Sequence, residues 1–329
     1  MLVLGGTGFL GPHLVEAALA SGYEVTLFNR GKTNPHLFPE LEKLQGDRDG
    51  DLGELRGRKW DVVVDNSGYV PRVVRASAEL LADNVEHYLF VSTISVYADL
   101  SRPGVNEDAP LAVLEEPGSE EVAKHYGALK ALCESAVAEV MPGRSASVRP
   151  GLIVGPGDPT DRFTYWPARA DRGGTIVGPG NPGDPIQFID VRDLAPFMLT
   201  MLDQRLVGAY NALGPNPPVT IGALVEACRS ASGVASEVVW APLDALEAEQ
   251  VMPWMDMPVW VPAQGEYAGA GLLDVSKSMA AGLTFRPLED TVTATLEWWR
   301  SQPEDRRAQP RAGLSIEREA ALLARLRDG

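Results

Sequence analysis

The chain has 329 residues, 45% of them hydrophobic, enough for a full α/β core with a second lobe beside it. Its net charge of −16, from 29 Lys and Arg against 45 Asp and Glu, repels nucleic-acid phosphates and anionic lipid, so neither is an expected partner. No apolar run approaches the ~18 residues of a membrane span.

Met1 leads directly into an apolar strand without a basic leader or cleavage site, so a cytoplasmic protein is expected. The two cysteines, Cys133 and Cys228, lie far apart in helix-like sequence and read as core residues in a reducing compartment.

In chain order, Leu2–Leu4 is a short apolar strand, and Phe9–Ala20 follows with Leu10, Leu14, Ala17 and Ala18 at helical spacing. Tyr23–Phe28 and Trp60–Val64 read as strands, Val73–Leu81 as a helix, and His87–Val91 as another strand. A long helix is expected from about Glu120 to Val140, stopped by Pro142 and Gly143, with a strand at Ala146–Arg149. Fully apolar strands alternating with amphipathic helices predict a doubly wound parallel sheet, the α/β Rossmann class.

From Gly155 the composition shifts. Gly155–Pro185 reads as a long Gly- and Pro-rich loop carrying aromatics and arginines, the kind of loop that more often serves function than spacing. Asp193–Leu202, Ile221–Ser230 and Leu288–Trp299 read as helices, and Trp254–Val261 as an aromatic, proline-rich segment. A charged stretch from Ser301 to Arg311 precedes a last helix, with Ser315 as its cap. The division expected is a dinucleotide-binding domain over 1–154 and a smaller, mixed α/β C-terminal lobe over 155–329. Segments around 186–212 are expected to return to the first sheet.

Two local patterns carry chemistry. The run Gly5-Gly6-Thr7-Gly8-Phe9-Leu10-Gly11 sits between a strand and a helix start, the context that makes a glycine pattern a pyrophosphate cradle. Gly5 permits the turn, Gly8 the approach of the ligand, and Gly11 close helix packing.

After the second strand, Asn29 stands where a ribose-binding carboxylate is expected, with Arg30 and Lys32 behind it. Arg30 reads either as the partner of a 2′-phosphate, tilting the cofactor from NAD toward NADP, or as a solvated loop charge. Gly46-Asp47-Arg48 places Asp47 near the adenine amine, with Arg48 as a further cofactor contact.

The second pattern is Tyr126-x-x-x-Lys130, which puts a phenol and an ammonium on one helix face. A free phenol titrates near ~10, and a neighbouring ammonium lowers that value toward the working range. Upstream, Ser92 and Thr93 close an apolar strand at its carboxyl end, where open α/β sheets bind ligands, and Thr93 is placed to hold a substrate oxygen.

With these residues the sequence resembles the extended short-chain dehydrogenase/reductase family, also called the NAD-dependent epimerase/dehydratase family, over about its whole length. The resemblance rests on Gly5–Gly11, Ser92-Thr93 with Tyr97, Tyr126 with Lys130, Arg149-Pro150-Gly151, Asp190-Val191-Arg192-Asp193, and Asp274 with Lys277. It implies that Tyr126 is the acid–base residue, that Lys130 binds the nicotinamide ribose, and that Thr93 hydrogen-bonds the reacting oxygen. It also implies that Ser67 and Gly68 line the cofactor, and that a homodimer forms through the helix of Tyr126.

The departures concern the substrate. Family dehydratases follow the threonine with Asp-Glu, here Ile94 and Ser95. Nucleotide-sugar epimerases carry an asparagine at the position of Leu152, a diphosphate-binding arginine at that of Ile186, and a motif histidine at that of Asp190. Arg162, Arg169, Arg172 and Arg192 either replace that arginine or pair with surface acids, at least two of them doing the latter.

Tyr69, Phe163, Tyr165, Trp166, Trp254, Met257 and Trp260 either shape an apolar substrate pocket or pack the second lobe. Tyr69, Ser92, Arg162, Tyr165 and Trp166 are the substrate contacts expected. His13, His36, His87 and His125 have no metal-ligand spacing, and no metal is expected. The expectation is a small-molecule oxidoreductase interconverting an alcohol and a carbonyl. Two alternatives are a nucleotide-sugar epimerase and, from another class, a non-catalytic dinucleotide sensor or nucleic-acid-binding relative.

Overall fold

In the computed structural model, which describes residues 1–328, the first half runs β1 (Leu2–Leu4), α1 (Leu10–Ala20), β2 (Thr26–Asn29), β3 (Glu42–Gln45), β4 (Trp60–Asp65), α2 (Pro71–Leu81), β5 (Val85–Val91), α3 (Val122–Val140) and β6 (Ser145–Pro150). There follow β7 (Leu152–Val154), α4 (Tyr165–Arg172), β8 (Gly174–Pro179), β9 (Pro185–Asp190), α5 (Val191–Asp203), β10 (Gly208–Ala212), β11 (Gly214–Thr220) and α6 (Ile221–Ser232). The chain ends with β12 (Ser236–Ala241), α7 (Leu243–Ala248), α8 (Ser276–Ala280), α9 (Leu288–Ser301), α10 (Glu304–Arg307) and α11 (Ile316–Asp328). Among the described residues, no helix is long and apolar enough to cross a membrane.

Seven strands form one parallel sheet in the order β10-β6-β5-β4-β1-β2-β3. Strand alternation divides its side chains between two cores. Val3, Val62, Val64 and Leu89 point to the layer of α1 and α5, while Leu2, Leu4, Val63, Tyr88 and Phe90 point to that of α2 and α3. Each face is apolar at every second residue, so the strands read as unbroken hydrophobic runs and the sheet is covered on both sides. Strand order reverses between β1 and β4, with later strands added on the other side of β1, and the crevice outside their carboxyl ends is where such sheets take ligands.

Beyond β6 lie a three-stranded sheet, β11-β9-β7, and a parallel pair, β12-β8. The expected loop over 155–185 instead carries a helix and a strand, because its aromatics are buried. Phe163 just before α4, Tyr165 and Trp166 within it and Val177 of β8 enter a second core with Leu224 and Trp260. Several motif residues are braces. Asp190 caps α5 through the Arg192 N–H (2.8 Å) and accepts from Thr291 Oγ1 (2.8 Å), and Arg149 pairs with Glu134 at 2.9 and 2.7 Å.

Ser315 Oγ accepts from the Arg318 N–H (3.2 Å), the cap expected for α11. That helix is tied to α4 by a buried ion pair: Arg169 Nε donates to both Glu319 oxygens at 2.7 Å, and Arg172 pairs with the same carboxylate. Removing one partner leaves a charge in a dry site. Glu319→Ala is therefore expected to cost about 3–5 kcal/mol of stability, read from the midpoint of urea unfolding.

Candidate active site

The turn after β1 is built by glycine. Gly5 has φ +89°, and a Cβ there would sit 2.8 Å from that of Ser67. A Cβ on Gly8 would meet nothing within 4 Å, so this side of the turn is open. A Cβ on Gly11 would lie 2.5 Å from the Gly6 carbonyl carbon, so Gly11 serves helix packing and stays outside the cavity wall. No side chain caps the start of α1, whose first-turn N–H donors are directed at this turn. Thr7, Gly8, Phe9 and Leu10 all line the cavity that opens here, with a volume of about 1230 Å³.

Asn29, Arg30, Lys32 and Asp47 border the same cavity. Asn29 Oδ1 accepts from the Gly31 N–H (2.8 Å), which leaves its buried Nδ2 as a donor without a partner. Arg48 borders the cavity too, with its guanidinium turned inward onto the fully buried Asp65 at 2.5 and 2.7 Å and onto Ser77 Oγ at 3.0 Å, so its charge is paired at the cavity floor. Gly68 departs from expectation: a Cβ there would be 2.6 Å from Val74, and the residue presents its carbonyl to Lys130 rather than lining the cavity. Ser67 does line it, donating to Leu4 O (3.2 Å) across the switch between β1 and β4.

The three expected catalytic residues meet on the cavity wall. Helix α3 is broken at His125 (φ −121°, ψ 29°), so its regular part begins at Tyr126. Gly127 then lets α3 touch the loop after β5, since a Cβ there would fall 2.0 Å from Ser95 O. This contact, which the sequence pattern did not single out, sets the helix bearing Tyr126 against the turn bearing Thr93.

Lys130 is buried, and its Nζ donates to Gly68 O and Val91 O, both at 2.6 Å. Burial lowers its pKa to about 8. For Tyr126, burial raises the pKa and Tyr69 adds to the rise, while the Thr93 hydroxyl and the Arg162 guanidinium pull it back. Lys130, expected to lower the phenol, is not among the groups that shift it here, and its ammonium is directed at the strand-end carbonyls.

The outer wall sorts the substrate candidates. Tyr69, Ser92, Arg162 and Trp254 line the cavity, and Ser92 Oγ is buried without a partner. Tyr165 and Trp166 do not reach it; both are core residues, and Trp166 Nε1 donates to Pro258 O at 2.8 Å. Phe163, Met257 and Trp260 are likewise core. Of the four arginines, Arg169 and Arg172 take Glu319, and Arg192 takes Asp190 at 2.6 Å. Arg162 alone of the four borders the cavity. The sequence reading missed Asp158, Thr160, Met252 and Tyr267 in this wall; Asp158-Pro159-Thr160 had a turn signal, the other two had none.

The model of the NAD dependent epimerase/dehydratase family matches residues 1–53 and 49–212. Among curated proteins, the chloroplast stem-loop binding protein of 41 kDa b from Arabidopsis thaliana is 27% identical over 260 residues, 71% of this chain and 63% of that protein. The chain thus spans less than two thirds of that relative's length.

Among solved structures, UDP-glucuronic acid 4-epimerase from Bacillus cereus, in complex with NAD, aligns at TM-score 0.65 and 18% identity. That alignment covers 90% of this chain and 95% of that one. The Thermus thermophilus UDP-glucose 4-epimerase complex with NAD aligns at 0.60 and 21%, covering 92% and 99%. At these identities the likeness is one of fold.

Gly127→Ala is expected to force α3 off the Ser95 loop. The overpacking costs about 1–3 kcal/mol, and a displacement of the Tyr126 phenol by about 1 Å costs on the order of 100-fold in turnover. Thermal unfolding and steady-state rates read the two effects separately.

Proposed function

The chain belongs to the NAD dependent epimerase/dehydratase family, and on that basis we propose that it is an NAD(P)-dependent oxidoreductase interconverting an alcohol and a carbonyl on a small molecule. The observation carrying this reading is the meeting of Thr93, Tyr126 and Lys130 on the wall of the cavity that begins at the open face of Gly8. The residues fit a dinucleotide: a glycine turn with room for backbone approach, an uncapped helix start, and an orphaned Asn29 donor at the end of β2. Gly5–Leu10, Asn29, Asp47 and Ser67 would hold it, and Lys130 would take the nicotinamide ribose. With no carboxylate at position 29 and exposed Arg30 and Lys32 beside it, the 2′-phosphate form, NADP, is favoured.

When bound, the nicotinamide supplies or takes the hydride. The chain's own part is to hold the substrate oxygen at Thr93 and to move one proton at the Tyr126 hydroxyl. A phenol pushed up by burial is protonated at neutral pH, which suits a proton donor to the oxygen of a carbonyl being reduced. Reduction then needs the protonated form, so the rate holds at neutral pH and is lost as pH rises through the Tyr126 pKa.

A second reading, an epimerase that oxidises and re-reduces one sugar carbon, is favoured by the two UDP-sugar epimerases of similar fold. Against it stand the buried Ile186 and Leu152 at the family's diphosphate and asparagine positions. The stem-loop binding named for the plant relative meets a net charge of −16 here.

Tyr126→Phe is expected to lower turnover by about 10²–10⁴-fold with cofactor Kd nearly unchanged. An active phenylalanine variant would sink the proposal. Arg162→Met removes one of the two groups pulling the phenol down, so the alkaline limb of the pH–rate profile moves to higher pH. Consumption of NADPH or NADH across ketones and nucleotide sugars separates the two enzyme readings, since an epimerase consumes neither.

A further inference from the structure

The far end of the cavity holds a built polar element in an otherwise apolar wall. Thr160 joins two charged neighbours: its hydroxyl donates to Asp158 Oδ1 (2.7 Å) and accepts from Arg162 Nε (3.2 Å). Each neighbour keeps an edge free. Asp158 is 1% exposed, and its Oδ2 has no partner. The two terminal amino groups of Arg162 make no hydrogen bond to the described residues, and among these no carboxylate pairs with it. Its guanidinium lies over the Trp254 ring, 5.3 Å from the centroid.

The element is held from behind. Asp161, 1% exposed, pairs with Arg306 and accepts from the Arg311 N–H (2.8 Å), while Arg311 Nη1 donates to Pro159 O (2.8 Å). An unpaired, half-buried guanidinium on a pinned turn beside the reacting phenol is poised to accept an oxyanion in bidentate fashion.

Charge decides which oxyanion. Arg48 is neutralised by Asp65, Lys130 is committed to two carbonyls, and Arg30 and Lys32 lie by β2 at the dinucleotide end. The substrate end therefore offers the single charge of Arg162, beside an Asp158 whose carboxyl burial pushes toward its neutral form. A diphosphate, with about two negative charges, is mismatched there. Much of the remaining wall is apolar, with Ile186, Met252 and Val259 beside Tyr267 and the polar Gln187, and takes an apolar body.

We propose that the substrate is a small carboxylic acid with an apolar or aromatic body, its single carboxylate bound by Arg162. This rests on the reading of the cavity as the site of carbonyl–alcohol chemistry. Its test reads binding alone, so loss of hydride transfer does not disturb it.

Calorimetric titration of the full chain saturated with NADP+ compares phenylacetate, its neutral isostere phenylacetamide, and UDP. The acid is expected to bind about 10- to 100-fold more tightly than the amide, the worth of a charge-assisted pair, and more tightly than UDP. In Arg162→Met that advantage disappears, Arg162→Lys keeps part of it, and unchanged NADP+ affinity reports an intact fold. The proposal is overturned if the amide matches the acid, if the advantage survives Arg162→Met, if UDP binds most tightly, or if phenylacetate does not bind.

Discussion

The candidate site depends on a buried ammonium. Lys130 Nζ joins the backbone beyond β4 to the end of β5 through Gly68 O and Val91 O, and lies 4.1 Å from the centre of the Phe90 ring. Its pKa of about 8 measures how strongly burial works against the charge. Asp65, already paired with Arg48 and accepting from the Tyr88 hydroxyl (2.8 Å), offsets only part of that cost. Ion pairs in such surroundings gain little net stability but are costly to break, so the arrangement favours one geometry over its alternatives. It ties the loop after β3, the ends of β4 and β5, and α3 into one floor.

On that floor the phenol is positioned by backbone contact rather than by its neighbouring ammonium. The break at His125 lets regular helix begin at Tyr126, and the absence of a Cβ at Gly127 brings that first turn onto the Ser95 carbonyl. Thr93 and Tyr126 come from opposite sides of this contact, and their relative position is as stiff as the packing there. The groups that pull on the phenol follow: the lysine serves the strand ends, and the Thr93 hydroxyl and Arg162 guanidinium lower its pKa against the rise that burial causes.

The substrate end has a different origin. The family match ends at residue 212, while Trp254 lies beyond it, as do Arg306 and Arg311, which anchor the turn of Arg162. The part of the chain that carries the family pattern builds the floor and the cradle. The part beyond it supplies much of the outer cavity wall, which the family pattern therefore does not describe.

By itself the sequence determined the parallel sheet, the glycine cradle, and the order of Thr93, Tyr126 and Lys130, because each is a local signal: strand period, glycine spacing, and one helical turn. It also marked the departures at Ile94, Leu152 and Ile186. Only the tertiary structure decided which charges were already spent. Arg48, Arg169 and Arg172 look in sequence like Arg162, yet their carboxylate partners lie 17, 150 and 147 residues away. The same holds for Tyr165 and Trp166, which side with the core because α4 turns them inward, and for Gly127, whose role exists only against Ser95. A guanidinium is free or neutralised according to what folds beside it, and no local pattern records a contact made across the chain.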